Sequence, residues 1–198
     1  MTTKIERLEK HIRNPDNVVP GEERFTLILD KLTIKDGLNL AFGVSFGTSL
    51  KKFAPLLSPQ TVYAFDWFYG LPEKWEQHHD VGTFSTGGVP PTDLPPNVEL
   101  VVGLVEDTLD DFLLAHKEIV SFVHFDLDLY KPTKFCLTKL TPRFVDGTVL
   151  LFDEIAIREY HIAHEGRAFT EFLKETPFDF EVVGCRSDGL AQAFRLHL

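Results

Sequence analysis

Five short apolar runs divide the chain, and they constrain its fold more than any other feature. Each has five to seven residues, is rich in Val, Ile and Phe, and lacks the alternation of a half-solvated strand. The runs are Leu38–Phe42, Thr61–Phe65, Val98–Val102, Ile119–Phe125 and Thr148–Phe152. Continuous apolar strands of this length are typical of a parallel sheet that is buried on both faces.

Longer segments with helical spacing of apolar residues lie between these runs. They are Ser49–Leu57, Leu109–Lys117, Pro132–Arg143 and Gly166–Glu175. Alternation of strands and helices predicts an α/β fold with a Rossmann-like, doubly wound sheet.

The end of the chain departs from this alternation. Phe178–Cys185 and Ala191–Leu196 are strand-like, and only five residues separate them, too few for a crossover helix. They predict an antiparallel C-terminal hairpin at one edge of the sheet, with Gly189 in its turn. The whole sheet then has seven strands, of which the last is antiparallel.

The chain divides into two predicted parts. Residues 1–25 are expected to form a polar helical arm with a break at Pro20-Gly21, and residues 26–198 to form one domain. A length of 198 residues agrees with a single domain.

The formal net charge of −10 bears on the partners and the compartment. Such a surface repels phosphate backbones and anionic lipid, so neither nucleic acid nor a membrane is expected as a partner. It suits a cationic ligand or a metal ion. Two cysteines without metal-type spacing, and a charged N-terminus without a signal peptide, favour a cytoplasmic protein.

Residues 68–96, called the lid segment below, are dense in Gly, Pro and Thr and follow the second apolar run. A connection this long in a compact domain is either a solvated surface loop or a functional element. Its origin at the carboxyl end of a strand, where open α/β sheets bind ligands, favours a lid.

A glycine-containing turn follows the first apolar run. Gly43 and Gly47 stand just before a predicted helix, and Asp66 ends the second run, 23 residues after Gly43. An acid at this spacing accepts hydrogen bonds from ribose hydroxyls in nucleotide-binding folds, although it is also a common cap or turn residue. Neither the three-glycine dinucleotide motif nor a P-loop lysine is present. A nucleoside ligand is therefore predicted.

Four acids follow the two central runs: Asp126 and Asp128 after the fourth, and Asp153 and Glu154 after the fifth. Carboxylates that converge on one crevice repel one another unless a cation lies among them. Oxygen ligands suit Mg²⁺ or a similar divalent ion. The alternative is that some of these acids are helix caps or ion-paired, and at least one is expected to be so.

Two histidines after the fifth run, His161 and His164, are candidates for a general base. A histidine without a catalytic role is the commoner case.

Six strings in this order, FGVSFGTSL, VYAFDWFYGLPE, VELVVGLVEDTL, FVHFDLDLYKPT, GTVLLFDE and EGRAFTEF, carry a family resemblance. The chain resembles class I S-adenosylmethionine-dependent methyltransferases, and among them the macrocin O-methyltransferases of the TylF/MycF type. The resemblance runs from about Leu38 to the C-terminus. It implies O-methylation of a hydroxyl on a small molecule, a sugar or a natural product, and leaves a homo-oligomer open.

The resemblance also implies roles for particular residues. It implies that nine residues face the S-adenosylmethionine cofactor, namely Gly43, Ser45, Phe46, Gly47, Asp66, Trp67, Val105, Glu106 and Asp126. The positions that hold a divalent metal in metal-dependent members are Asp126, Asp153 and Glu154, with Asp128 close by. The catalytic candidates are then Asp126 and His161.

Two positions depart from the family pattern. Ala41 stands where many relatives carry an acid that helps to hold the methionine end of the cofactor. Leu129 stands where catechol-type enzymes have a lysine, so their mechanism does not carry over.

Two other functions are compatible with the motifs. The D-x-D string is shared with metal-dependent phosphatases and nucleotide-sugar glycosyltransferases, although Tyr130 replaces the threonine of the phosphatase pattern. A non-catalytic protein that binds a nucleoside or the cofactor with the same fold is the other alternative.

Overall fold

The computed structural model describes residues 2–15, 18–19, 23–75, 79–156 and 158–198. Pro20 and Gly21, predicted as a break in the N-terminal arm, lie outside the described residues. None of the described helices is both long and apolar enough to cross a membrane.

One mixed sheet contains all eight strands of the described residues. The strands are β1 (Val18–Val19), β2 (Leu38–Phe42), β3 (Val62–Asp66), β4 (Val98–Val102), β5 (Val120–Phe125), β6 (Val149–Phe152), β7 (Asp179–Arg186) and β8 (Gln192–His197). Their order is β1-β7-β8-β6-β5-β2-β3-β4. All neighbouring pairs are parallel except those of β8, which is antiparallel to β6 and β7.

This topology confirms the predicted doubly wound sheet with an antiparallel C-terminal hairpin. Gly189 has φ +79° in the hairpin turn, and its N–H donates to the Arg186 carbonyl at 2.7 Å. The seven predicted strands correspond to β2–β8. The eighth, β1, has two residues beside β7 and is too short to leave a periodic pattern.

Helices cover both faces of the sheet. They are α1 (Lys4–Arg13), α2 (Arg24–Leu29), α3 (Thr48–Phe53), α4 (Val105–Ala115), α5 (Tyr130–Leu140), α6 (Glu159–His161) and α7 (Arg167–Glu175). Two 3₁₀ turns, Ala54–Leu57 and Thr141–Arg143, extend α3 and α5, and a π-helical turn, Ile162–Gly166, joins α6 to α7. The division into 1–25 and 26–198 stays a prediction; α2 begins just before that boundary.

Apolar side chains fill the space between the sheet and each layer of helices. Helices α4, α5 and α7 pack on one face and α2 and α3 on the other. Across the central strands, Phe125 packs against Phe42 and Phe152 with ring centroids 5.7 and 4.8 Å away. Burial of each such ring contributes about 1.5–3 kcal/mol, so these contacts fix the strand ends that carry the site.

The chain runs outward from β2 in one direction through β3 and β4, and in the other from β5 through β6. The carboxyl ends of β2 and β5 therefore lie at the topological switch point, where open α/β sheets form a ligand crevice.

Candidate active site

Gly43 connects the end of β2 to the end of β5. Its φ is +89°, and a Cβ at this position would lie 1.9 Å from the Asp126 carbonyl oxygen. The Asp126 N–H donates to the Phe42 carbonyl at 2.8 Å. Only glycine allows this approach of the two backbones. The spacing of apolar runs and glycine thus brings the turn after β2 against the first acid after β5.

Asp66, at the end of β3, holds the turn that follows Gly43. Its Oδ2 accepts hydrogen bonds from the N–H groups of Val44 and Ser45, both at 2.7 Å. Its Oδ1 accepts from the Phe68 N–H at 2.7 Å. These bonds use three of the roughly four acceptor positions of a carboxylate. Asp66 is therefore a turn residue, and one position on Oδ1 stays open.

A cavity of about 270 Å³ lies over these strand ends. Its wall contains most of the predicted cofactor residues, namely Gly43, Ser45, Asp66, Trp67, Val105, Glu106 and Asp126. The structure places two others elsewhere. Phe46 does not line the cavity and is 61% exposed. Gly47 is the N-cap residue just before α3, and a Cβ there would lie 2.7 Å from the Leu94 side chain.

The lid segment packs over this cavity. The Ser45 hydroxyl donates to the Phe84 carbonyl at 2.9 Å, and Phe84, with Leu71 and Pro72, contributes to the wall. Trp75 is buried against Leu71 and Leu129. These contacts agree with a lid rather than a solvated loop.

Asp128 lies in the cavity wall in an unusual conformation. Its φ is +62°, it is 9% exposed, and its carboxylate has no hydrogen bond or ion pair to the described residues. Burial, with the negative charges of Glu154 and Asp153, raises the pKa of Asp128 to about 7. A carboxylate of this kind is suited to accept a proton near neutral pH.

Asp126 also lies in the cavity wall and is partly buried. Burial raises its pKa well above the usual value, and the charges of Asp153, Asp128 and Glu154 add to this effect. Carboxylates that lie together in a crevice raise one another's pKa in this way.

Asp153 has positive partners already, as expected for at least one of the four acids. Arg24 Nη2 lies 2.8 Å from Oδ1, and Arg186 Nη1 lies 3.3 Å from Oδ2. Burial raises the pKa of Asp153, but the neighbouring His124, Arg24 and Arg186 outweigh it and lower the pKa to about 2.

The predicted metal site of Asp126, Asp153 and Glu154 does not fit a divalent ion. Asp153 faces two guanidinium groups, and Glu154 Oε2 lies 3.0 Å from His161 Nε2. Within the described part of the chain, no group of three or more His, Cys, Asp or Glu residues is arranged to hold a metal. The magnesium prediction therefore has no support from the donor set.

His161 is buried behind the cavity rather than in its wall. It is 1% exposed, its Nδ1 lies 3.2 Å from the Ala156 carbonyl oxygen, and its ring packs against Trp75. His161 is linked to the cavity through Glu154, which contacts His161 and lines the cavity wall. His164 Nδ1 accepts a hydrogen bond from the Tyr130 N–H at 3.1 Å, a structural contact.

Three residues in or beside the cavity are not identified by the sequence analysis. Asp128 is predicted only to lie near the metal ligands, and no role is predicted for Arg24 or Glu165. Glu165 is buried in the π-helical turn with a raised pKa caused first by burial, and its Oε1 accepts from the Leu127 N–H at 3.4 Å. The sequence around Glu165 and Arg24 contains no motif that indicates a role for either residue.

An α/β sheet with a reversed last strand and a crevice at its switch point is the arrangement of the class I methyltransferase fold. A sequence family described as a methyltransferase domain matches residues 40–155, more than half of the chain. The chain belongs to this methyltransferase family.

Solved structures share the fold. The calicheamicin methyltransferase CalS11 is 22% identical, with 97% of this chain and 91% of that chain covered and a TM-score of 0.69. The O-methyltransferase NovP is 20% identical, with 96% and 78% covered and a TM-score of 0.61. An O-methyltransferase from Bacillus cereus in complex with SAH is 18% identical, with 98% and 89% covered and a TM-score of 0.59. No curated protein sequence matches the chain.

Proposed function

We propose that this methyltransferase transfers a methyl group from S-adenosylmethionine to a hydroxyl of a small molecule, a sugar or a natural product as in the macrocin-type enzymes. The observation that carries the proposal is Asp128, an unpartnered carboxylate with a pKa of about 7 in the same cavity as the turn at Gly43 and Asp66. The turn at Gly43 and Asp66 is suited to bind a nucleoside. A carboxylate in the same cavity with a pKa near neutral pH is suited to deprotonate an acceptor beside the cofactor.

The residues around the turn fit the cofactor. The open acceptor position on Asp66 Oδ1 is suited to a ribose hydroxyl, and Val105 and Glu106 line the part of the cavity assigned to adenine. The neighbour from Bacillus cereus was solved with SAH, which supports a cofactor of this type. When bound, S-adenosylmethionine supplies an electrophilic methyl group.

Two functions of this chain's residues would accelerate the transfer. The Asp128 carboxylate accepts the hydroxyl proton, which makes the acceptor oxygen more nucleophilic. The lid segment, held at Ser45 by Phe84, excludes water and orients the acceptor. Alignment of the reacting groups accounts for most of the expected acceleration. Because the carboxylates do not fit a metal, no step is assigned to an ion.

The charge of the cavity restricts the acceptor. Among the described residues, the wall contains acidic side chains and no basic one; the acids are Asp66, Glu106, Asp126, Asp128 and Glu154. Such a wall favours a neutral or positively charged acceptor over one with phosphate groups. CalS11 is described as a TDP-rhamnose 3'-O-methyltransferase. The acceptor of this chain would therefore differ in charge from TDP-rhamnose, which contains phosphate groups.

The match to the methyltransferase family favours this function over the phosphatase, glycosyltransferase and non-catalytic alternatives.

A labelled-methyl assay tests the proposal. The protein is incubated with methyl-labelled S-adenosylmethionine and a panel of neutral, amine-bearing and phosphorylated glycosides. Label is expected in base-stable ethers of neutral or amine-bearing members. Label confined to carboxyl esters or amines would contradict O-methylation, and label confined to phosphorylated members would contradict the acceptor class.

A further inference from the structure

Two arginines from distant parts of the chain meet at Asp153. Arg24 is the first residue of α2, and Arg186 is the last residue of β7. Their guanidinium groups contact different oxygens of one carboxylate, at 2.8 and 3.3 Å. All three side chains are largely buried, with Asp153 14% exposed. An ion pair shielded in this way is screened little by salt.

Further contacts hold each arginine in place. The Arg24 guanidinium lies over the Phe25 ring, with its Cζ 4.4 Å from the ring centroid. Arg186 Nε lies 2.7 and 2.9 Å from the two carboxylate oxygens of Asp188. Since a guanidinium group keeps its charge at all physiological pH values, both positive charges are permanent features of this corner of the site.

These two charges balance the acids that follow β5 and β6. Asp153 and Glu154 both raise the pKa of Asp128, so the carboxylates are close enough to interact. A divalent cation would bring two more positive charges next to two fixed guanidinium groups, and it would have to displace them from Asp153. Asp153, one of the three predicted metal ligands, is thus already neutralised by the protein.

We propose that Arg24 and Arg186 occupy the place of a divalent cation at Asp153, so that this site binds no divalent metal ion. This inference concerns ion binding alone and stands apart from the acceptor and the chemistry proposed above.

Binding of Mn²⁺, followed by electron paramagnetic resonance, tests the inference without any substrate. Three proteins are compared: the wild type, the double variant Arg24→Gln/Arg186→Gln, and the control Arg7→Gln/Arg13→Gln. The control removes the same formal charge from exposed ion pairs with Asp179 and Glu159. Excess Mg²⁺ is added last, to show whether a bound Mn²⁺ occupies a site of the expected type.

We expect no stoichiometric Mn²⁺ binding by the wild type or the control. We expect the double variant to bind one ion per chain, at least about tenfold more tightly than the wild type, and to release it to Mg²⁺. One tightly bound ion in the wild type would overturn the inference. So would a double variant that folds cooperatively but binds no more than the wild type; if it does not fold, the single variants Arg24→Gln and Arg186→Gln are compared in the same way.

Discussion

Replacement of Gly43 by alanine is expected to destabilise the protein by about 2–5 kcal/mol, because the change combines backbone strain with overpacking. The φ of +89° is unfavourable for an L-residue, and the new Cβ would lie 1.9 Å from the Asp126 carbonyl oxygen. This atom belongs to the backbone, so no side-chain rotation relieves the contact. Urea unfolding of the wild type and the variant measures the difference.

Gly87→Ala is the matched control for this change. Gly87 has φ +72°, but a Cβ there would have nothing within 4 Å, so it isolates the cost of the backbone conformation. We expect a loss of about 1–2 kcal/mol for this variant. Equal losses of unfolding free energy for the two variants would show that a Cβ at position 43 does not clash with the Asp126 carbonyl oxygen.

Replacement of Asp128 by asparagine is expected to lower kcat/KM by about 10²–10⁴-fold, the usual contribution of a general base. Asparagine tolerates a positive φ at least as well as aspartate, so the turn at φ +62° should be preserved. The assay uses whichever acceptor is labelled most strongly, and Asp111→Asn, an exposed aspartate of α4, serves as the control. Similar rates for Asp128→Asn and the control would remove Asp128 from catalysis.

The pH dependence of the same reaction separates a base from a structural residue. The pKa of Asp128 is about 7, and only the ionised form accepts a proton, so the wild-type rate should rise as the pH increases through 7. The residual activity of Asp128→Asn should not show this rise. A rise at the same pH in the variant would assign the titration to another group.

The fold was predictable because its signal is local. Leu38–Phe42 is a strand with the predicted bounds, since a buried parallel strand leaves a continuous apolar run. Val98–Val102 is also a strand with the predicted bounds, although it lies at the edge of the sheet and is only partly buried. The hairpin around Gly189 was predictable from the short separation of two strand-like runs. Strand β1 was not, because two residues cannot display a period.

The site was predictable only where it depends on strand ends. Gly43, Asp66 and Asp126 each lie at the carboxyl end of a parallel strand, so the sequence indicates that they meet. The pairing of Arg24 with Asp153 joins residues 129 positions apart, and only the tertiary structure brings α2 to the end of β6. For this reason Asp153, one of the acids that suggest a metal in the sequence, is ion-paired with two arginines in the structure.

Calorimetric titration with S-adenosylhomocysteine tests the proposed cofactor site most directly. We expect saturable one-to-one binding to the wild type. Asp66→Ala should bind more weakly by at least about 1.5–3 kcal/mol, the contribution of a hydrogen bond to a charged group, because it removes the ribose acceptor and also the carboxylate that holds the turn at Val44 and Ser45. Asp111→Ala should bind as the wild type does. If the folded wild type gives neither saturable heat nor an increase in Tm with S-adenosylhomocysteine, the cavity over β2 and β5 is not a cofactor site.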